Sequence, residues 1–182
     1  MNENIELEYK VLLNENQFEK LTSRYPSLKF KKQVNTYYDT KDMQIRTKKG
    51  AMRIREIDDT CIFTLKMHKG KDLLEYECKV PENSTKALSS EEIISLLNKY
   101  ELSGPFHVLT SLTTYRAMII TEYAEICFDK NHYGNNVDYE IEYEYKKDHD
   151  GLKEFQTILD FIGVTYTQNC DSKIKRALDQ LL

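Results

Sequence analysis

The sequence predicts an α+β fold in which an antiparallel sheet of about eight strands closes into a barrel, clothed outside by helices and charged within. Three observations predict it: a period-two alternation that returns along the chain, charged strand faces each dominated by one sign, and four amphipathic helical segments able to cover the apolar faces.

The alternation begins at Ile5, where Ile5, Leu7, Tyr9 and Val11 interleave with Glu6, Glu8 and Lys10. It returns in Met52–Arg55, Phe63–Met67, Leu74–Val80, Tyr115–Ala117, Ala124–Asp129 and Val137–Lys146. Val34–Thr40, rich in Thr and Tyr, makes the eighth strand. Asn14 caps a helix carrying Phe18, Leu21 and Tyr25, and Gln17 completes a capping box. Ser89 or Ser90 caps a second, with Ile93, Ile94, Leu96, Leu97 and Tyr100. Asp150 precedes a third, with Leu152, Phe155, Ile158, Leu159 and Ile162, and Gly163 stands at its C-terminal stop. The last runs from about Ser172 through Ile174, Ala177, Leu178 and Leu181. The linkers Pro81–Lys86 and Ser103-Gly104-Pro105 separate two strand-rich halves. Each half alone has too few strands to close and too little core, so the reading is a single domain over residues 1–182.

For any one strand, a charged side facing water is explanation enough. Taken together the strands argue otherwise. Glu6, Glu8 and Lys10, then Arg53 and Arg55, then Glu140, Glu142 and Glu144 repeat too strictly, and a solubilising surface mixes signs. With helices over the apolar faces, the charged faces line the interior as a polar tunnel. An ion moved into low dielectric costs on the order of several kcal/mol even after relaxation, so such a tunnel is wet, ligand-filled or both. Carboxylates there suit a hard divalent metal, and Lys and Arg suit phosphate oxygens.

The totals narrow the field. A net charge of −4 gives no general attraction to nucleic acid or to an anionic membrane. The opening MNENIELEYK has no basic and apolar leader, and no stretch approaches 18 apolar residues, which implies a cytoplasmic protein. Cys61, Cys78, Cys127 and Cys170 form no C-x-x-C pair and read as reduced packing residues. His68, His107, His132 and His149 have no ligand spacing and read as surface or loop residues.

Glu6-x-Glu8-x-Lys10 resembles the ExExK signature of the CYTH superfamily, the triphosphate tunnel metalloenzymes that include thiamine triphosphatases, inorganic tripolyphosphatases and class IV adenylyl cyclases. The rest follows in that family's order. Asn35-Thr36-Tyr37-Tyr38-Asp39-Thr40 is similar to its N-x-Y-[YF]-D-T strand, Met52-Arg53-Ile54-Arg55 to its L-R-I-R, and Thr64-Leu65-Lys66 to its T-L-K. Glu75 and Glu77, Arg116, Asp129 and Glu140-Ile141-Glu142 fall on its later charged strands, and Ser172-Lys173 with Arg176 resembles its S-K-x-x-R-A-L. The match spans residues 5 to about 178 and is nearest to small stand-alone members of low-GC Gram-positive bacteria. Met52 in place of Leu is the departure, and it conserves volume.

The resemblance implies that Lys10, Arg53, Arg55, Lys66, Arg116 and Lys173 bind a triphosphate. It implies that Glu6, Glu8, Asp129, Glu140 and Glu142 bind Mg²⁺ or Mn²⁺, with Glu6, Glu8 and Glu142 first. Lys66, Tyr37 and Glu8 are the catalytic candidates, Lys66 and Tyr37 as a Lys-Tyr dyad. The implied reaction is in-line attack of a metal-activated water on the terminal phosphoryl group. Tyr37 also reads as a packed strand aromatic, Asp39 as a turn residue, and Glu75, Glu77 and Glu144 as rim charges. The implied ligand is a small-molecule triphosphate or polyphosphate, tripolyphosphate first, and the chain is a monomer or homodimer. A cyclase making cyclic AMP, a non-catalytic polyphosphate sensor and a barrel for an apolar ligand are the rival readings.

Overall fold

The computed structural model describes residues 1–70 and 72–180. Along the chain run β1 (Asn2–Glu6), β2 (Glu8–Leu13), α1 (Glu15–Thr22), β3 (Lys31–Thr40), α2 (Gln44–Thr47), β4 (Ala51–Ile57), β5 (Thr60–Lys69) and β6 (Asp72–Val80). They continue with a 3₁₀ turn (Ala87–Ser89), α3 (Glu91–Lys99), β7 (Phe106–Ile120), β8 (Ala124–Tyr133), β9 (Asn136–Tyr145), α4 (Gly151–Asp160) and α5 (Lys173–Asp179). Two compact units result. The first comprises Met1–Glu6, Gln33–Leu112 and the chain from Ile174 on; the second comprises Leu7–Lys32 and Thr113–Lys173.

The strands hydrogen-bond in the order β1-β6-β5-β4-β3-β7-β8-β9-β2. In the first unit the ladders from β1 to β3 are all antiparallel, and in the second β7, β8, β9 and β2 are likewise. The α+β class holds, an antiparallel sheet flanked by helices. The closed eight-stranded barrel does not: among the described residues nine strands form an open order with β1 and β2 at its ends. The ninth strand comes from a break at Leu7 inside the run Ile5–Val11, after which β1 pairs with β6 and β2 with β9. The outer edge of β2 at Lys10 is taken by the side chain of Asn169 and the backbone of Cys170 instead of by another strand.

Helices cover the apolar faces as the alternation predicts. In the first unit, Met52, Ile54, Phe63, Leu65, Leu74 and Tyr76 pack beneath Ile93, Leu96 and Leu97 of α3. In the second, Leu13, Ile126, Phe128, Ile141 and Tyr143 meet Phe18 and Leu21 of α1 and Phe155 and Leu159 of α4. Each fully buried side chain of this size contributes about 1.5–3 kcal/mol. The caps form where expected: the Gln17 N–H donates to Asn14 Oδ1 at 2.9 Å and the Asn14 N–H to Gln17 Oε1 at 3.0 Å. Ser90 and Asp150 cap α3 and α4. Gly163, at φ +70°, stops the chain after α4 in the left-handed conformation that glycine accepts without strain. Tyr25 lies past the end of α1 and packs on Phe128 from the following turn, at 5.6 Å between centroids. Leu181, assigned to the last helix, lies outside the described residues.

Asp39 is a structural carboxylate, in keeping with its reading as a turn residue. It accepts the backbone N–H groups of Thr40, Ile45 and Arg46 at 2.8, 3.0 and 3.0 Å, and so organises the one-turn α2. Just beyond, Gly50 passes close to β5: a Cβ there would lie 2.9 Å from the Lys66 carbonyl oxygen and 2.4 Å from Met67 Sδ. Gly50→Ala is therefore expected to cost about 1–3 kcal/mol by overpacking, read as a lower urea midpoint with an unchanged m-value.

Candidate functional site

The opposite faces of both ladders carry charge, and that charge is withdrawn from solvent. In the first unit Lys66 of β5 stands across from Glu75 of β6, 3.3 Å away, and its ammonium also contacts Glu6 of β1. The Glu6 side chain is 4% exposed, and its second oxygen, Oε2, is buried without a hydrogen-bond partner. On β4, Arg53 stands opposite Tyr37 of β3 and Thr64 of β5, and Arg55 donates from Nε to Asn35 Oδ1 at 3.0 Å. Thr64 donates to Glu77 at 2.9 Å. Glu75 and Glu77 are therefore paired members of this cluster, not solvent-facing rim charges. Arg53 Nε is buried and unsatisfied. Burial opposes the Arg53 charge, but Tyr37, Glu75 and Glu77 outweigh it, and its pKa is raised.

The second unit holds a denser cluster. Arg116 of β7, Asp129 of β8 and Glu140 of β9 stand in one row across the ladder, and Lys10 of β2 stands opposite Glu142. Arg116 grips Asp129 bidentately, Nε to Oδ1 at 2.7 Å and Nη2 to Oδ2 at 2.5 Å, and reaches Glu142 as well. Lys173, at the start of α5, places Nζ 2.9 Å from Asp129, 3.0 Å from Glu140 and 2.6 Å from Glu142. Lys10 pairs with Glu8. Asp129 and Glu140 are wholly buried.

Burial works against every charge in this group, and the neighbours decide the outcome. Arg116 and then Lys173 hold the Asp129 carboxyl below its usual range, and Lys173 and then Arg116 hold Glu142 well below its own. Asp129, Glu140 and Glu142 hold the Lys173 ammonium well above its ordinary value, and Glu8 and Glu142 raise Lys10. The shifts of Lys10, Asp129, Glu142 and Lys173 all favour the charged form.

The structure thus gathers Glu8, Lys10, Arg116, Asp129, Glu140, Glu142 and Lys173 in one unit, and Glu6, Tyr37, Arg53, Arg55 and Lys66 on the charged face of the other. The cross-strand neighbour of Tyr37 is Arg53, while Lys66 faces Glu75 and Glu6. Several polar partners escaped the sequence reading. Thr114 donates to Asn131 at 2.7 Å, Asn131 to Asp138 at 2.9 Å, and Tyr133 to Asp138. Thr114, Asn131 and Tyr133 are neutral side chains on the same strands, and only the i, i+2 spacing of Thr114 from Arg116 and of Asn131 from Asp129 could have flagged the first two.

In the second unit the candidate ligands are all carboxylates, the donor type a hard divalent ion takes, and in the first unit Glu6 keeps one buried oxygen without a hydrogen bond among the described residues. Among the described residues no three carboxylates, thiols or imidazoles form a ready metal site, and Asp129, Glu140 and Glu142 are paired with Lys173. The cysteines are free, and burial pushes the Cys127 thiol up to about 12, which leaves it an inert packing group. No helix among the described residues is long and apolar enough to cross a membrane.

Comparison with known proteins agrees with the residue pattern. The CYTH domain model matches residues 4–177. The Bacillus subtilis (strain 168) protein named "Putative triphosphatase YjbK" is 31% identical over 165 residues, 87% of either chain. A Bacillus halodurans protein of known structure, designated a "putative adenylate cyclase", is 30% identical with a TM-score of 0.87, covering 97% of this chain and 98% of its own. HpAC1 from Hippeastrum, described as having a dominant triphosphatase activity, shares the fold at 21% identity and a TM-score of 0.78, with 96% of each chain covered. With nearly its whole length matched by the family model, this chain belongs to the CYTH domain family.

Proposed function

We propose that this chain hydrolyses a triphosphate in a divalent-metal-dependent reaction that releases phosphate, with inorganic tripolyphosphate preferred over nucleoside or thiamine triphosphates. One observation carries the reading: Arg53 presents a buried Nε with no acceptor among the described residues, on a strand face where Lys66 is paired with Glu6 and Glu75. A buried, unsatisfied guanidinium donor is costly unless an anion completes it. The similarity to a protein named for triphosphatase activity supports the same class of substrate.

In this reading Lys10, Arg53, Arg55, Lys66, Arg116 and Lys173 take the phosphate oxygens, the arginines bidentately. Glu6, Glu8, Asp129, Glu140 and Glu142 hold Mg²⁺ or Mn²⁺, whose chemistry, when bound, is to neutralise phosphate charge and acidify a water. Lys66 stabilises charge on the terminal phosphoryl group, Tyr37 orients the Arg53 guanidinium, and Glu8 accepts the proton of the attacking water. Residues 1–182 act as one domain on a small-molecule triphosphate or polyphosphate in the cytoplasm, as a monomer or homodimer.

The test is phosphate release across tripolyphosphate, thiamine triphosphate, ATP, GTP and longer polyphosphate, each with Mg²⁺ and with Mn²⁺. Glu6→Gln and Glu8→Gln are expected to lose at least about 100-fold in turnover, as the removal of several kcal/mol of transition-state stabilisation implies, while still binding the anion. No release from any substrate refutes the proposal. The 30% identity to a protein designated an adenylate cyclase favours one second reading. Cyclic AMP formed from ATP with tripolyphosphate untouched would establish it.

A further inference from the structure

β2 ends the strand order, so among the described residues one of its edges has no neighbouring strand. Its alternate residues point their backbone groups to that edge, and these residues include Glu8 and Lys10, whose side chains sit on the charged face. The edge is nevertheless occupied. Asn169 Oδ1 accepts the Lys10 N–H at 2.8 Å, and Asn169 Nδ2 donates to the Glu8 carbonyl at 3.0 Å. The Cys170 N–H donates to the Lys10 carbonyl at 3.1 Å. The Tyr166 hydroxyl donates to Asn169 Oδ1 at 3.1 Å and holds the carboxamide in that orientation. Four residues after Asn169 the same stretch delivers Lys173 to Asp129, Glu140 and Glu142.

A side-chain amide presents an N–H donor beside a carbonyl acceptor, as a peptide unit does, and here one of each faces β2 as a neighbouring strand's would. An unpaired edge is free to fray, and this one bears Glu8 and Lys10. We propose that Asn169 is a positioning residue: its carboxamide replaces the missing strand along β2 and fixes the backbone from which Lys10 and Glu8 reach the anion. The consequence for anion affinity rests on the triphosphate reading given above.

The test compares wild type, Asn169→Ala and Asn169→Asp by amide hydrogen exchange at Lys10, by calorimetric titration with inorganic tripolyphosphate in Mg²⁺, and by steady-state phosphate release. In Asn169→Ala the Lys10 amide is expected to exchange about ten-fold faster or more, with α4 unaffected. Kd and KM for tripolyphosphate should rise about three- to ten-fold with kcat within about two-fold, as the loss of one or two modest hydrogen bonds implies. Asn169→Asp keeps the acceptor and should keep Lys10 protected. Unchanged exchange at Lys10, an unchanged Kd, or exchange that rises equally in α4 each overturns the proposal. If wild type releases no phosphate from any triphosphate, the function proposed above fails, and Lys10 exchange together with tripolyphosphate Kd still decides the role of Asn169.

Discussion

Lys173→Met is expected to lose about 3–5 kcal/mol of folding stability at pH 7, the range for removing one partner of a buried ion pair. The ammonium lies within 3.0 Å of three carboxylates, two of them wholly buried, and methionine matches its stem but not its charge. Arg116 then carries the ion pairs to both Asp129 and Glu142, with Lys10 as the other cation near Glu142. The sign of the pH dependence follows. In the wild type the Asp129 and Glu142 carboxyls titrate below their ordinary values of 3.8 and 4.5, so they add stability above that range and lose it as pH falls through their folded pKa values. Without Lys173 those carboxyls rise and bind protons readily, so the deficit of the variant should shrink between pH 7 and pH 4. Urea titrations at the two values check this, and a deficit that is small or independent of pH refutes it. Lys173 itself, raised above 10.5, stays charged throughout this range.

Arg53→Met should behave in the opposite way, with tripolyphosphate turnover falling about 10²–10³-fold, the usual effect of removing one preorganised donor, and stability holding or rising. Arg53 bears a sealed, unsatisfied Nε, and its carboxylate neighbours act on it at a distance, without an ion pair among the described residues. Removing it relieves a cost of the ligand-free protein, which is the trade expected where binding groups are held in readiness. Arg53→Lys keeps the charge but not the planar fork, and should recover only part of kcat/KM. Joint measurement of kcat/KM and urea midpoint separates the cases. An Arg53→Met variant as unstable as Lys173→Met would make Arg53 a structural cation.

The elements that read most clearly from the sequence were those with local causes. Period two located the strands, and the Asn14, Ser90 and Asp150 caps located three helices, because both signals are written within a few residues. β7 showed alternation only at Tyr115–Ala117, yet runs from Phe106 to Ile120, since His107 to Thr114 mix polar and apolar residues on both faces. The break at Leu7 was invisible because Ile5–Val11 alternates straight through it, and where one strand leaves its partner is decided by distant chain. α2 has no periodicity of its own and exists because Asp39 collects its amides. The charged candidates were legible because their signs are sorted along strands. The place of Lys173 among them followed only from the family resemblance, and Asn169 left no trace, since a neutral amide in a polar stretch carries no pattern.

The pairing inside the second cluster has a thermodynamic consequence. Lys10, Arg116 and Lys173 each already hold a carboxylate, so a phosphate oxygen gains a cation only by releasing one. On the function proposed above, every carboxylate so released becomes a seat for an added divalent ion. Anion and metal therefore assist each other's entry, and by reciprocity each raises the affinity of the other by the same factor. On that proposed function the cluster is a poor host for either partner alone, and its matched guest is the complex of the two.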